Sequence, residues 1–427
     1  MIGSVIAKVS ARLLPLLFLL YFVNFLDRVN VGYAALQMNG DLGFTPEVYG
    51  LGASIFFLGY FFFEIPSNWM STRVGARKWL ARITLSWGIV ACAMALVRTP
   101  GIFYVLRFLL GVAEAGFVPA LLLYVSTWFP LAERANAVAK LWSSTAVALV
   151  FGGPLSALML SIGGPLRGWQ WMFLLEGIPA IALGFIVYRY LPDDVSGAAW
   201  LTPAERTTLS DALTQDDIQT KPHAVADFRA ALVRPIVWGY AITYFCLGIG
   251  FFGITFWLPQ IVKQLSGFNA VQTSLLSAVP FVFAAAAMLY VGARSNRSTE
   301  RRFVFIGGCL IGALGVLGSA LTADPWLSLS ALTIGAMGIW SVVAIFWSSA
   351  SGRMSGSGTA GGLALINSIG GLGGFTGPYM IGIVRGATHS FAPALMVIAV
   401  ALVVCAALAY VMMRVPGAAP RAAQASA

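Results

Sequence analysis

Apolar residues run in long blocks along this chain, at about 13–37, 47–71, 79–98, 102–128, 136–162, 170–191, 234–262, 271–293, 303–322, 326–350, 358–384 and 391–413. Each block is cut off by a polar or Gly/Pro segment, and roughly 20 apolar residues suffice for a helix to cross the hydrocarbon core of a bilayer. The pattern predicts twelve spanning helices. The first block is unusual, because Asn24, Asp27, Arg28 and Asn30 interrupt it near its middle. An ionisable group there costs roughly 2.5–3.5 kcal/mol on insertion scales, so it marks a pathway or relay by default. A structural ion pair that fixes helix packing is the competing reading.

The polar intervals divide the blocks six and six. The one long interval, Pro192 to Arg234, is acid-rich between Asp193 and Asp217 and separates residues 1–192 from 235–427. Inside it, Thr202-Pro203-Ala204-Glu205 reads as a capping box that starts a short surface helix, with no chemistry of its own. The segment after the second block, Asn68 to Lys78 with Arg73, Gly75 and Arg77, is echoed after the eighth by Gly292 to Arg302 with Asn296 and Arg297. Both carry an arginine at the sixth place and two basic residues at the end. Transporters are commonly built from such repeats, with substrate held near the midplane between them. The expected fold is an all-α membrane protein of two pseudo-symmetric six-helix bundles joined by the 193–234 loop, with the two repeated segments as gate loops.

Composition agrees with this. Of 427 residues 59% are hydrophobic and 10% charged, against about 25% charged in soluble domains. The first 25 residues lack a cleavage site and contain no short signal-type core, so they read as part of the first span. A net charge of +10 would suggest nucleic acid in a soluble protein. Here position explains it: Arg98, Arg167, Lys263 and Arg385 fall on one side, Arg28 and Arg107 lie within spans, and the rest of the 26 basic residues fall on the side of the termini. The positive-inside rule then places both termini in the cytoplasm, with no nucleic-acid partner. Cys92, Cys246, Cys309 and Cys405 lie singly in apolar blocks without metal-type spacing. His223 and His389 both fall outside the spans, and no catalytic triad or nucleotide motif is present, so an enzyme is not expected.

Several motifs bear a family resemblance. The two repeated loops resemble degraded copies of the major facilitator signature loop, with Thr72 and Asn296 where it normally has Asp and Asn68 in place of its first Gly. Asn24 to Asn30 (NFLDRVN), Glu64 to Asn68 (EIPSN), Arg107 to Pro119, Gly152 to Ser156, Trp169 to Pro179, Thr255 to Pro259 and Ala364 to Gly374 are similar to the anion:cation symporter family. The resemblance runs from the first span to the eleventh. It implies the major facilitator fold and a proton-coupled importer of organic carboxylates, the group of phthalate, tartrate, sugar-acid and hydroxyphenylacetate permeases.

The residues allow that chemistry. Moving an anion into a negative interior costs about 2.3 kcal/mol per charge per 100 mV, so a cation must accompany it. A buried carboxylate suits a proton carrier, since desolvation favours its neutral form and a nearby arginine its charged form. Arginine matches a carboxylate bidentately and stays charged. We therefore assign Asp27 and Glu114 to protons, Arg28 to the substrate carboxylate, and Arg107 to tuning Glu114 and attracting the anion. Arg107 and Glu114 are two helical turns apart on one face, with Gly111 between them leaving room for a neighbouring helix. A helix-fixing salt bridge is the alternative for this pair.

Other membrane acids are assigned lesser parts. Glu64 is expected to pair with a loop arginine, and Glu176 to serve the interface of the sixth helix. The resemblance implies that Tyr60, Trp347, Asn367 and Ser368 line the cavity, with Tyr21, Asn24, Phe25, Thr145, Tyr244 and Trp257 as a second tier. The Gly361 to Gly377 run lacks the Lys-Ser/Thr of a phosphate loop and reads as close helix packing. The expectation is a monomeric symporter in a bacterial inner membrane that takes a small organic anion with protons and needs no other cofactor. A drug-exporting antiporter and a non-transporting receptor are the alternatives.

Overall fold

The computed structural model describes residues 2–220, 232–295, 301–353 and 359–413. His223, the gate-loop residues Asn296 and Arg297, and part of the 193–234 segment lie outside them. The first helix, α1, spans Ile2–Leu42 and starts well before its apolar block. Val5, Ile6 and Val9 are buried along this extra stretch, so packing carries the helix beyond the apolar run. Thr45 then caps α2 (Pro46–Val74), accepting from the Val48 N–H, with Pro46 at the first helical position. Gly75, at φ 95°, ends α2 and begins α3 (Ala76–Ala93).

The fourth apolar block differs from expectation. It forms two helices, α4 (Pro100–Glu114) and α5 (Phe117–Ser126), joined through Ala115 and Gly116. Gly116 sits at φ 80°, a left-handed conformation that a side chain resists. Ser67 closes the break by donating from its hydroxyl to the Ala115 carbonyl at 2.6 Å, and the Trp79 indole N–H donates to the same hydroxyl.

The remaining helices of the first half are α6 (Leu131–Leu160) and α7 (Gly168–Tyr190). In the connecting segment, α8 (Pro203–Thr220) begins at the expected box: Thr202 N–H donates to Glu205, and Glu205 N–H to Thr202 Oγ1. The second half comprises α9 (Pro235–Ser266), α10 (Ala270–Ser295), α11 (Arg301–Leu321), α12 (Pro325–Ser341), α13 (Val343–Arg353), α14 (Thr359–Thr388) and α15 (Ala392–Met412). The tenth block is thus also divided, after Ser341.

With α4–α5 and α12–α13 each taken as one pass, eleven helices among the described residues are long and apolar enough to cross a membrane. The twelfth predicted span is α14, 30 residues long, whose glycines dilute its hydropathy. No strand occurs among the described residues.

Helices pack both within and across the two stretches that flank the connecting segment. Before the connecting segment, α1 packs on α6 and α7, α2 on α4, and α3 on α7; after it, α9 packs on α14 and α15, and α11 on α12 and α15. Among the described residues, helices also meet across the connecting segment: α2 with α14, α6 with α10, and α1 with both α9 and α10.

Candidate functional site

The polar residues of α1 fall at i, i+3 and i+6, so Asn24, Asp27 and Asn30 share one face, and all three are buried. Each meets a different helix. Asn24 donates to Glu114 Oε2 on α4 at 3.0 Å, Asp27 accepts from the Trp87 indole on α3 at 2.6 Å, and Asn30 donates to Glu176 on α7 at 2.7 Å. Arg28 lies about 100° around the helix. Its Nη2 reaches Glu114 Oε2 at 2.8 Å while its guanidinium lies 5.3 Å from the ring centres of Phe56 and Tyr60. The side chain keeps 13% exposure, whereas Glu114 has none.

Glu114 does not have the arginine partner expected for it from its own helix. Glu114 pairs with Arg28, and Arg107 is fully buried, donating from Nε to Gly52 O at 3.2 Å and from Nη2 to Ala53 O at 3.0 Å. Gly111 makes this possible, because a Cβ there would collide with the Phe56 carbonyl and so α4 and α2 touch backbone to backbone. Arg107 therefore straps α4 to α2. Acids outnumber bases among these groups: Asp27, Glu64, Glu114 and Glu176 are buried, with Arg107 buried and Arg28 partly exposed beside them. Burying a charge is costly unless it is paired.

Across the interface, α2 and α14 run antiparallel in one continuous seam. Gly50 meets Gly382, with a Cβ on the former placed 2.9 Å from the Cα of the latter; Phe57 lies against Gly374; and Glu64 lies opposite Asn367 and Ser368. Asn367 donates to Glu64 Oε1 at 2.8 Å and Ser368 to Oε2 at 3.2 Å. This replaces the loop arginine expected for Glu64, and nothing in the sequence joins residues 303 positions apart. Tyr244 stacks on Phe346, with ring centres 4.9 Å apart, and meets Trp347 edge-on at 5.0 Å. It lies within electrostatic range of Tyr21, Glu64 and Arg28. Tyr21, Arg28, Tyr60, Tyr244, Trp347, Asn367 and Ser368 all retain partial exposure.

Other predicted residues are placed elsewhere. Phe25 is buried, Thr145 bonds the Trp142 carbonyl of its own helix at 2.8 Å, and Trp257 is buried at the end where α1 runs into α2. That end is sealed between the halves: the Trp257 indole donates to Pro378 O at 2.9 Å, Tyr49 to Phe256 O at 2.7 Å, Lys263 to Leu36 O at 2.7 Å, and Asn39 to Gln260 at 3.3 Å. At the opposite end, Arg77 of the first gate loop pairs with Asp193 at 2.7 Å and donates to the Leu191 carbonyl, while Arg73 lies over the Trp69 ring. Asn68 packs beside Gly116 at the α4–α5 break, and a Cβ added at Gly292 would meet no atom within 4 Å.

The described residues hold no group of three or more His, Cys, Asp or Glu that could bind a metal. Sequence comparison reads on the same helices. The Major Facilitator Superfamily model matches residues 17–378. The chain belongs to the Major Facilitator Superfamily. It is 42% identical over 416 residues, 96% of this chain and 92% of the relative, to a protein of Agrobacterium vitis named "Putative tartrate transporter". Over 423 residues, 96% of this chain and 95% of the relative, it is 36% identical to a quinolone resistance transporter of Acinetobacter baumannii. Among solved structures, the xylose transporter XylE of Escherichia coli, in a partially occluded inward open conformation, matches with a TM-score of 0.76 over 95% of this chain and 97% of that one. At 14% identity that likeness concerns the fold. The chain is a multi-pass membrane transporter of this superfamily and not an enzyme.

Proposed function

We propose that this transporter is a proton-coupled importer of a small organic anion, a hydroxylated or aromatic carboxylate of the tartrate, phthalate or sugar-acid kind. It works as a monomer in a bacterial inner membrane with both termini cytoplasmic, rocking residues 1–192 against 235–427. The observation that carries the reading is Arg28, a cation left partly exposed beside Tyr60 with its Nε unbonded and only one nitrogen committed to Glu114. A guanidinium with free donors in a low-dielectric cavity is a carboxylate ligand. The excess of buried acids over arginines supports protons as the coupling ion, with Asp27 and Glu114 as carriers. The tartrate name of the Agrobacterium relative supports the substrate class.

In the cycle, an anion at Arg28 competes with Glu114 for the guanidinium. A proton that enters with the anion offsets its charge, which lowers the cost of moving the loaded site across the membrane. The test is uptake of labelled tartrate, phthalate and gluconate into proteoliposomes under an imposed pH gradient. Accumulation driven by outside acid supports symport, and no uptake of any probe refutes the reading.

A second reading, a proton antiporter exporting organic compounds, is favoured by the quinolone resistance relative. Against it stand Arg28, which suits an anion, and the Gly152-Gly153-Pro154 segment, which lacks an extended glycine pattern. The same gradient distinguishes the two by the sign of the response.

A further inference from the structure

We infer that Glu64 is a tethered competitor of the substrate: its carboxylate occupies the donors of Asn367 and Ser368 that an incoming anion requires, so binding must displace it. The inference rests on the organic-anion reading and specifies how that site is held before substrate arrives.

Glu64 is 5% exposed, at the end of the α2–α14 seam farthest from the sealed end. The rungs nearer the sealed end are glycine backbone and aromatic contacts, at Gly50 with Gly382 and Phe57 with Gly374. The Glu64 rung is polar, and both carboxylate oxygens receive a hydrogen bond, one from an amide and one from a hydroxyl. No lysine or arginine lies within ion-pair distance of it among the described residues. Arg28 is in electrostatic range, but its contact is with Glu114. A carboxylate held only by neutral donors is held less firmly than one held by a guanidinium.

A small anion bound to Arg28 on one wall and to α14 on the other would need these two donors. Two carboxylates at one pair of donors repel each other in a low dielectric. Glu64 must therefore leave Asn367 and Ser368 for the anion to take them, and its departure opens the polar rung of the seam. Substrate binding and the loosening of α2 from α14 become one event. Glu64 is in this sense a positioning residue.

The test is Glu64→Gln in the full-length purified protein, with binding of tartrate, phthalate and gluconate measured by calorimetry. The neutral amide holds α14 less tightly and does not repel an anion, so Kd is expected to fall at least about fivefold. Without ligand the variant should melt below wild type, and saturating anion should close the gap, because the ligand takes over the donors. Asn367→Ala should raise Kd in wild type and cancel the gain of Glu64→Gln. If Glu64→Gln does not fold, Glu64→Asp, whose shorter carboxylate cannot span both donors, should shift Kd in the same direction by less. Wild type that binds anion while the Glu64 variant binds it equally or more weakly overturns the inference alone. Wild type that binds none of the probes overturns the organic-anion reading and this inference with it.

Discussion

Arg28 and Glu114 meet at 2.8 Å, and the same Glu114 oxygen also accepts from Asn24, so two residues of one helical turn of α1 converge on one atom of α4. The opposite oxygen, Oε1, has no hydrogen-bond partner. Removing the charge of Glu114 while keeping its shape should therefore uncouple without dismantling. In proteoliposomes Glu114→Gln is expected to abolish accumulation driven by a pH gradient and to retain counterflow exchange. Arg28→Lys should weaken anion binding about tenfold, since an ammonium lacks the planar fork, with exchange reduced in parallel.

Arg107 makes a different prediction because its donors hold backbone. Arg107→Ala removes two charge-assisted hydrogen bonds that tie α4 to the Gly52 and Ala53 carbonyls of α2, each worth about 1.5–3 kcal/mol. The variant should melt markedly lower in detergent, with or without anion. A shift confined to KM at unchanged melting temperature would instead make Arg107 a substrate ligand.

At the α4–α5 break, Gly116→Ala must hold a side chain at φ 80°, at about 1–2 kcal/mol, and press its methyl into Ser67. Loss of thermal stability is expected. Gly101→Ala on α4, with open space around it, should be close to neutral and serves as the control.

The sealed end offers a conformational test. Asn39→Cys combined with Gln260→Cys, bridged by a short thiol cross-linker, should stop transport, and reductive cleavage of the linker should restore it. Each single variant treated alike should transport normally, because only the pair joins α1 to α9.

The surface helix α8 carries a pH-dependent tether. Lys8 donates to Glu205 at 2.9 Å and holds that carboxyl below the ordinary glutamate range, helped by the Thr202 N–H. A depressed folded pKa contributes attachment that is present above about pH 4.3 and lost as pH falls through the folded value. Spin labels on α8 and the first turn of α1 should separate only below that range. Lys8→Ala removes the tether itself, so in that variant the label distance should show no such step with pH.

The spans were legible because bilayer thickness imposes a minimum apolar length on every spanning helix, and the box at Thr202 and Glu205 because capping is local. Asn24, Asp27, Arg28 and Asn30 stood out because polarity is rare at that depth. What the sequence withheld depends on neighbours far along the chain. The strap from Arg107 to α2 carbonyls and the tie from Glu64 to Asn367 exist only once helices are packed. Between these cases lies the fourth span, where Gly116 and Pro119 were visible but apolar continuity argued for one helix. The division of the tenth span at Val342 carries no Gly or Pro signal at the break itself.

The break beside Gly116 makes the fourth span a knuckle, with Arg107 clamped on one phalanx and α5 forming the other. Glu114 is the last residue of the clamped piece. Movement of α5 can admit water to the carboxylate, or shut it out, while Arg107 keeps its grip on α2. A continuous rod would have forced the strap and the whole span beyond it to move together; the joint lets one stay fixed while the other swings.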